Sequence, residues 1–335
     1  MNLTRQSEAQ PELQGGGDQI ALSILIVAYQ SADIISACLS SIKAACSGVR
    51  YEVLMIDNGD GSTEALVSDA FQAVGITPSR GNIGFAAANN LLANVAQGQY
   101  LLLLNPDVIL KPGAADALIV ATTKHPTAAA WGGVTLDSSG GPDLGNTLQN
   151  PSLREMASRV VGRSRDSRNT GSTAGRDEQA EVLSGSFVMF DRAVWNEAGG
   201  MDERYFLYCE EVDLFYRLAQ KGHVFWRISA ARGFHDIGHG NILAPSRLLY
   251  RAAGTMQFVR LHWSKSRQLL AFILIWIGAV QRLVAGRLFG KRNAHLANLA
   301  TGYRSVALRP NDWRFGYDKK RGLMVKLGKA NTNSG

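Results

Sequence analysis

Three short apolar segments, each ending in polar residues, alternate with helical segments in the first third of this chain. They are LSILIVAYQ (22–30), YEVLMIDNG (51–59) and YLLLLNPDVIL (100–110). Apolar runs of this length are typical of strands that are buried on both faces of a parallel sheet. The intervening segments carry apolar residues at helical spacing, as at Ile35, Cys38 and Ile42. The alternation predicts an α/β fold in which helices flank a mostly parallel, Rossmann-like sheet.

Charge is distributed unevenly along the chain. Residues 246–335 carry 17 Lys and Arg against 2 Asp and Glu, within a whole-chain net charge of +7. Such a basic region needs an anionic partner. The apolar run LLAFILIWIGAV (269–280), which has basic flanks, fits an anionic membrane surface better than a nucleic acid, so we expect no nucleic acid partner. A core helix is the alternative for this run, and a homodimer interface is the alternative for the basic helices.

Composition divides the chain into three regions. Residues 1–19 are polar, lack the apolar core of a signal peptide and are expected to be a disordered lead-in. Residues 20–245 are expected to form the ligand-binding domain, and residues 246–335 a basic helical region. Residues 162–179 are rich in Gly, Ser and Arg, which indicates a surface loop or an active-site lid. The three cysteines exclude a disulfide scaffold and favour a cytoplasmic location.

Polar side chains stand where the predicted strands end. Tyr29 follows the first strand, Asp57 the second, and Asn105 the leucine-rich run. Ligands of open α/β sheets bind beyond the carboxyl ends of the strands, so these residues are candidates for a polar ligand site. An aspartate in such a position can also cap a helix or start a turn.

Other residues are suited to anions or metals, although each has an ordinary alternative. Asp107 can be a ligand to Mg²⁺ or Mn²⁺, or the N-cap of the helix that Pro112 is expected to open. The glycine-rich segment RGNIGF (80–85), placed before a helix, favours a bound anion such as a diphosphate. His235 and His239 in the predicted loop GFHDIGHG are either metal or phosphate contacts, or ordinary loop histidines.

The densest cluster of titratable residues is FLYCEEVDLFYRL. It holds Glu210, Glu211 and Asp213 within four residues of a predicted helix. Clustered carboxylates raise one another's pKa, which suits a general base. The alternative is a solvated acidic first turn that interacts with the helix dipole.

The chain resembles family-2 glycosyltransferases of the GT-A fold in the order of its motifs. These are SILIVAYQS, MIDNG, GNIGFAAANN, LLLLNPD and GGMDERYFLYCEEVDLFYRL, followed by the late histidine segment. The branch that the chain resembles is the bacterial rhamnosyltransferase-like enzymes. The resemblance covers roughly residues 20–310. It implies a nucleotide-diphospho-sugar donor and a divalent cation, Mg²⁺ or Mn²⁺.

The resemblance also implies roles for individual residues. Asp57 matches the family's nucleobase contact, and Tyr29 lies near the nucleoside. The loop with Arg80, Asn82 and Gly84 lies near the ribose and diphosphate, and Asn105 belongs to the same nucleotide-sugar site. Asp107 stands at the metal-binding Asp-x-Asp motif, and His235 matches a histidine that helps to hold the metal or diphosphate. Glu210 and Glu211 fill the family's Glu-Asp pair, whose second member is the base. Asp213 is the alternative base.

Two departures from the family pattern stand out. Position 211 is glutamate where the family has aspartate, and NGDGST follows the second strand in place of the usual small polar run. The resemblance implies an inverting enzyme that moves a sugar, L-rhamnose by branch, from a donor such as dTDP-rhamnose to a lipid-linked or polysaccharide acceptor in cell-surface polysaccharide synthesis. It would lie peripherally at the inner face of the cell membrane. The departure at Glu211 keeps open an alternative, a catalytically inactive nucleotide-sugar-binding subunit.

Overall fold

A computed structural model of the protein describes residues 19–137, 140–141, 147–162, 175–235, 245–318 and 322–323. The strands are β1 (Leu22–Ala28), β2 (Tyr51–Asp57), β3 (Val74–Thr77), β4 (Tyr100–Leu104), β5 (Val108–Leu110), β6 (Ala128–Leu136), β7 (Thr147–Leu148), β8 (Glu178–Ala180), β9 (Val182–Leu183), β10 (Phe187–Asp191), β11 (Val224–His235), β12 (Tyr317–Asp318) and β13 (Gly322–Leu323). The predicted lead-in and most of the predicted loop or lid at 162–179 lie outside these residues.

The helices are α1 (Ile35–Ala45), α2 (Ser62–Ala70), α3 (Phe85–Val95), α4 (Ala114–Lys124), α5 (Leu153–Val160), α6 (Arg192–Glu197), α7 (Glu210–Gln220), α8 (Pro245–His262), α9 (Lys265–Phe289) and α10 (Ala294–Leu308). Helices and strands alternate through the first half of the chain, so the predicted α/β class is confirmed.

The central sheet has the strand order β3-β2-β1-β4-β10-β6-β11-β5, and β8 pairs with β11. Strands β3, β2, β1 and β4 are parallel to one another, and β10 joins them as an antiparallel neighbour of β4. Alternate residues of β1 face opposite sides of the sheet: Ile24 and Ile26 lie in one apolar core, Leu25 and Val27 in the other. Both faces are therefore covered, as the unbroken apolar run predicts.

The predicted strand over residues 100–110 is wrong in its length. Asn105 and Pro106 interrupt it, and the Val108 N–H bonds the Asn105 carbonyl to close a turn. After the turn, β5 pairs antiparallel with β11 at the far edge of the sheet. Proline cannot donate to a strand ladder, so the chain leaves β4 at this point.

The loop predicted for GFHDIGHG is also wrong at its start. Strand β11 continues through Gly233, Phe234 and His235, because β5 supplies a partner there, with His235 opposite Val108. His235 is therefore held on a strand. His239 lies outside the described residues.

The helices after residue 245 pack on the α7 side of the sheet, in the core that also contains Leu25 and Val27. Helix α9 contains the apolar run and has 25 residues. By length and composition alone it could cross a membrane, and one such helix is weak evidence for a membrane span. Only 28% of its most apolar window is buried. Ala271, Ala279 and Leu283 of this helix lie in the core, while most of the window is less fully covered by the rest of the described chain.

Candidate active site

The carboxyl ends of β1, β2 and β4 lie at one edge of the sheet, because these strands are parallel and in register. Ala28 pairs with Asp57, and Leu25 pairs with Leu54 on one side and Leu103 on the other. The polar residues predicted from the sequence follow these positions. We call Tyr29, Asp57, Asn58 and the loop 80–84 the strand-end cluster.

Asp57 is buried (0% exposed), and both oxygens of its carboxylate accept hydrogen bonds from backbone N–H groups. Oδ1 accepts from Gly59, and Oδ2 accepts from Thr63 and Glu64, at 2.7–3.1 Å. The last two donors belong to the first turn of α2, whose amides have no partner within the helix. Asp57 therefore caps α2 and closes the turn after β2.

Asn58 fastens the glycine-rich loop to the sheet. Its Nδ2 donates to the Gly84 carbonyl at 3.1 Å, and its Oδ1 accepts from the Ile83 N–H at 3.4 Å. The side chains of Arg80 and Asn82 are exposed, while Asn82 Oδ1 also accepts from the Gly84 N–H. The loop thus presents Arg80 and Asn82 to solvent from a fixed base.

Gly84 joins this loop to the acidic part of the chain. It has φ +88°, and a Cβ there would lie 2.6 Å from the Phe206 carbonyl oxygen. The Phe85 N–H donates to that oxygen at 2.9 Å. Only glycine permits this close approach, so the loop packs directly on the segment that leads into α7.

Tyr29 is 53% exposed and lies beside α8. Burial and the neighbouring Tyr29 raise the pKa of Tyr250 on that helix. The strand-end cluster is therefore bordered by the basic helical region.

Asp107 lies in the turn between β4 and β5, next to His235. Its Oδ1 is 3.2 Å from His235 Nε2, and among the described residues this buried oxygen has no hydrogen bond. Gly113, not Asp107, occupies the N-cap of α4, so the helix-cap alternative for Asp107 is wrong. The resemblance had given Asp107 and His235 a shared role, and the fold brings them together.

Glu210 and Glu211 are the first two residues of α7, and neither is solvated as an ordinary acidic first turn would be. Glu210 is 3% exposed, and each glutamate has a buried Oε2 without a partner among the described residues. Burial raises the pKa of both carboxyls, and the charge of Glu211 raises that of Glu210 further. Arg251 on α8 opposes the shift at Glu211.

Asp213 belongs to a different, buried network. Its Oδ2 accepts from Arg217 Nε at 2.7 Å, and its Oδ1 lies 2.6 Å from His262 Nε2 and accepts from the Tyr205 hydroxyl at 3.2 Å. Both oxygens are engaged, and the carboxylate is 1% exposed. Asp213 therefore differs from Glu210 and Glu211, which have unpartnered oxygens, and its contact with His262 joins α7 to α8.

The turn that leads into the two glutamates is strained. Tyr208 and Cys209 have φ values of +69° and +71°, which are costly for residues with a side chain. We call residues Phe206–Glu211 the acidic turn. Strain of this kind persists only where surrounding contacts hold it in place.

The basic helical region supplies those contacts. A Cβ on Gly254 of α8 would lie 2.3 Å from the Tyr208 carbonyl oxygen, so α8 approaches the turn as closely as two backbones can. The Tyr317 hydroxyl bonds the carbonyl oxygens of Leu207 and Tyr250. Phe206 stacks on Tyr250 with ring centroids 5.7 Å apart. Sequence analysis missed these residues, because only the fold brings them to the acidic turn.

One short loop connects the Asp107 side with the glutamates. The Asn105 N–H donates to the Ser186 carbonyl at 2.9 Å, and an ideal Cβ on Gly185 would lie 3.9 Å from the Cβ of Glu211. Asn105, Asp107, Glu211 and the strand-end cluster therefore surround one edge of the sheet.

The Asp107–His235 pair fits a divalent cation that draws its other ligands from a substrate. A buried carboxylate oxygen without a hydrogen bond, beside an imidazole nitrogen, offers two protein ligands. Mg²⁺ commonly binds one or two carboxylates together with substrate phosphates. Among the described residues, no group of three or more His, Cys, Asp and Glu side chains could hold a metal.

Comparison with known proteins gives a family match over the first part of the chain. Residues 23–197 match the family model Glycosyl transferase family 2. The match contains the strand-end cluster, Asn105 and Asp107, and it ends before the acidic turn.

Two curated relatives are rhamnosyltransferases. The chain is 30% identical over 251 residues to N-acetylglucosaminyl-diphospho-decaprenol L-rhamnosyltransferase of Mycobacterium tuberculosis, covering 67% of this chain and 79% of that protein. It is 24% identical over 232 residues to rhamnosyltransferase WbbL of Escherichia coli, covering 65% and 84%.

Two solved structures share the fold. The mannosyltransferase PcManGT of Pyrobaculum calidifontis, in complex with GDP-Man and Mn²⁺, has a TM-score of 0.54 at 12% identity over 87% of this chain and 88% of that chain. GalNAc-T7, with UDP, GalNAc and Mn²⁺, has a TM-score of 0.55 at 13% identity over 86% and 56%. At these identities the likeness concerns the fold, which is the GT-A arrangement expected from the sequence.

Proposed function

The chain belongs to glycosyl transferase family 2, and from this premise we propose that it transfers L-rhamnose from a nucleotide-diphospho-sugar such as dTDP-rhamnose to a lipid-linked saccharide. The names of the two curated relatives support the sugar, and that of the mycobacterial relative supports a diphosphate-linked lipid acceptor. The product would serve cell-surface polysaccharide synthesis. Neither the geometry nor the comparisons favour a catalytically inactive subunit.

The donor would bind across the strand-end cluster. Exposed Tyr29 is available to the nucleoside, and Arg80 and Asn82 project from a loop that Asn58 fixes. We propose that Arg80 pairs with the diphosphate, since a guanidinium group donates two parallel hydrogen bonds to phosphate oxygens. Asp57 would reach a nucleobase only with an oxygen that already accepts backbone N–H groups. Its contribution would then be mainly to shape the cluster.

Asp107 and His235 would hold the divalent cation, and Asn105 fixes their turn against Ser186. When bound, such an ion neutralises charge on the leaving nucleoside diphosphate. The manganese in both solved relatives is consistent with this assignment.

Glu211 would be the general base. It removes the proton of an acceptor hydroxyl, whose oxygen attacks the anomeric carbon on the face opposite the diphosphate. The bond between that carbon and the diphosphate oxygen breaks, the nucleoside diphosphate leaves, and the configuration inverts. The base must be ionised to act, so its raised pKa makes transfer fall as the solution becomes more acidic. Arg251 would help to keep Glu211 ionised. The buried neighbour Glu210 would remain protonated to higher pH.

We further propose that residues 20–245 form the catalytic domain and that residues 246–335 attach it to the inner face of the membrane. Helix α9 carries exposed Leu269, Leu270 and Leu288. Basic residues at its two ends would contact anionic lipid headgroups. The same region closes the acidic turn, so the two parts would not be separable functionally. The exposed face of α9 is also available to a second copy of the chain, which leaves a homodimer as an alternative.

One observation carries the proposal: the Asp107–His235 pair and the Glu211 carboxylate oxygen that has no partner among the described residues lie at one sheet edge, linked through Gly185 and Ser186. The test supplies nucleotide sugars, Mn²⁺ and a GlcNAc-diphospho-lipid, and measures both nucleoside diphosphate release and the anomeric configuration of the product. We expect release from one donor and an inverted product. D107A should abolish release, E211Q should lower it by about 100-fold or more, and D69N, which alters an exposed carboxylate on α2, should leave it unchanged. Full activity in either site variant would refute the assigned roles.

A further inference from the structure

A cavity of about 360 Å³ lies between the C-terminal half of α8 and the segment Trp313–Tyr317. Neither the glutamates nor the Asp107–His235 pair line it. Its lining residues are Arg204, Gln257, Arg260, Leu261, Phe315 and Tyr317. The lining combines two guanidinium groups with apolar side chains, and no carboxylate contributes to it.

The positive charge at this cavity is only partly compensated. Arg204 is paired with Asp202. Arg260, which lines the cavity, and Arg314, which is next to the lining residue Phe315 in sequence, lie over the Phe315 ring, with guanidinium carbons 5.7 and 4.4 Å from its centroid. Neither has an ion-pair partner within the part of the chain that the structure describes. There, the buried Nε of Arg314 also lacks an acceptor.

Arg314 has a buried N–H without an acceptor, and Arg260 has a guanidinium group without an ion-pair partner, both among the described residues. Such an arrangement favours a bound anion. Arginine is suited to phosphate, because its planar group donates two parallel hydrogen bonds to phosphate oxygens. Phe315 is 41% exposed at the cavity, and Leu261 also lines it. The anion should therefore carry an apolar group.

The chain segment on one side of the cavity packs on the helix that we propose to contact the membrane. Trp313, next to Arg314, packs on Phe272 of α9 with ring centroids 5.4 Å apart. The first turns of α9 expose Leu269 and Leu270. An amphiphile whose chain lies against α9 could place its head group among the arginines.

The cavity is also connected to the acidic turn. Tyr317 lines it and bonds the Leu207 carbonyl with its hydroxyl, and Arg204 precedes Phe206 by two residues. A head group bound here would therefore lie next to the segment that positions Glu210 and Glu211.

We propose that this cavity binds the phosphate of a lipid, with Arg260 as the principal contact and Arg314, which shares the Phe315 ring with it, as a second cation beside the lining. The inference rests on the proposed function in one respect, namely that the acceptor is a lipid diphosphate. The same chemistry is offered by an anionic phospholipid of the membrane, and the two sources are distinguished by experiment.

The test uses the full chain and two probes. Calorimetry measures binding of a short-chain, water-soluble prenyl diphosphate, and flotation measures binding to phosphatidylcholine vesicles with and without phosphatidylglycerol. The variants are R260Q and R314Q. The matched control is R304Q, which removes one positive charge from an exposed position on α10 outside the cavity lining. R260K keeps the charge and loses the two-pronged geometry, so it should bind with intermediate affinity.

We expect R260Q and R314Q to bind at least one probe about tenfold or more weakly than R304Q, as for the loss of a charge-assisted hydrogen bond. Weakened prenyl diphosphate binding alone identifies the acceptor as the source, and weakened vesicle binding alone identifies the phospholipid. If both variants match R304Q with both probes, the proposal is wrong. Neither probe requires turnover, so a wild-type protein that transfers no sugar would refute the proposed function without deciding this one.

Discussion

The strand-end cluster and the acidic turn face the same sheet edge, but they are built differently. In the strand-end cluster, Asp57 and Asn58 bond backbone groups of adjoining segments, and their polar atoms are satisfied. In the acidic turn, two glutamates retain unpartnered buried oxygens, and two residues have positive φ. The side-chain hydrogen bonds of Asp57, Asn58 and Asn82 in the first region all lie within residues 57–84. The second is held in a costly conformation by contacts from residues 250–317.

This difference indicates that the strand-end cluster supports the site, while the acidic turn takes part in the chemistry. Buried carboxylates without partners reduce stability, and such arrangements concentrate at active sites. We therefore expect substitutions in the acidic turn to change turnover more than stability, and substitutions in the strand-end cluster to do the opposite. Five predictions test this contrast, in decreasing order of expected effect.

The largest effect is expected at Glu211. E211Q keeps the shape of the side chain and removes the base, so kcat should fall by about 100-fold or more while the donor still binds. Steady-state kinetics and donor titration measure the two quantities. E211D should fall by less, because it retains a carboxylate but withdraws it from the acceptor. A wild-type kcat in E211Q would show that the acidic turn does not take part in the transfer reaction.

At Asp57 we expect the loss to be in stability. D57A leaves three backbone N–H groups without their acceptor, so the free energy of unfolding should fall by about 2 kcal/mol. Urea denaturation measures it, with D69A on the exposed face of α2 as the control. Unchanged stability together with lost nucleotide binding would make Asp57 a ligand contact and break the contrast.

Gly254 tests whether α8 holds the acidic turn. In G254A the new methyl group meets the Tyr208 carbonyl oxygen, so the turn must shift. We expect a cost of about 1–3 kcal/mol and a fall in kcat at nearly unchanged donor KM. G48A is the matched control, because a Cβ there makes only ordinary contacts, at 3.7 Å or more. Equal behaviour of the two variants would show that the close approach is unimportant.

Tyr317 tests the same contact from the end of the chain. Y317F removes one hydroxyl and leaves the carbonyls of Leu207 and Tyr250 without that donor, at a cost of about 1 kcal/mol. A positioning role predicts a lower kcat and a shifted pH profile, since the glutamates move with the turn. A purely structural role predicts lower stability with an unchanged profile.

The smallest effect is expected at Glu210, and it depends on pH. The folded protein raises the pKa of this carboxyl, so Glu210 favours folding below the pKa of the unfolded chain, near 4.3, and disfavours it as the pH rises. E210Q should therefore raise the Tm at pH 8 relative to wild type, and the gain should disappear near pH 4. Thermal unfolding at both values measures it. If the gain in Tm of E210Q were the same at both pH values, the pKa of Glu210 would not be raised in the folded protein.

The sequence allowed prediction of the α/β class, the strand-end residues and the carboxylate cluster. These depend on local patterns, such as an apolar run that stops at Asp57 or acids that open a helix. The same patterns did not reveal that the chain leaves β4 at Pro106, because strand order depends on distant partners. Nor did they distinguish Glu211 from Asp213, whose environments differ only after Tyr205, Arg217 and His262 have assembled around the latter.

The contact between Tyr317 and the Leu207 carbonyl has a consequence for the timing of synthesis. Ribosomes would complete the sheet and both glutamates long before residue 317 emerges, yet the acidic turn acquires this hydrogen bond only with that residue. The acidic turn therefore gains this brace only after residue 317 has been made.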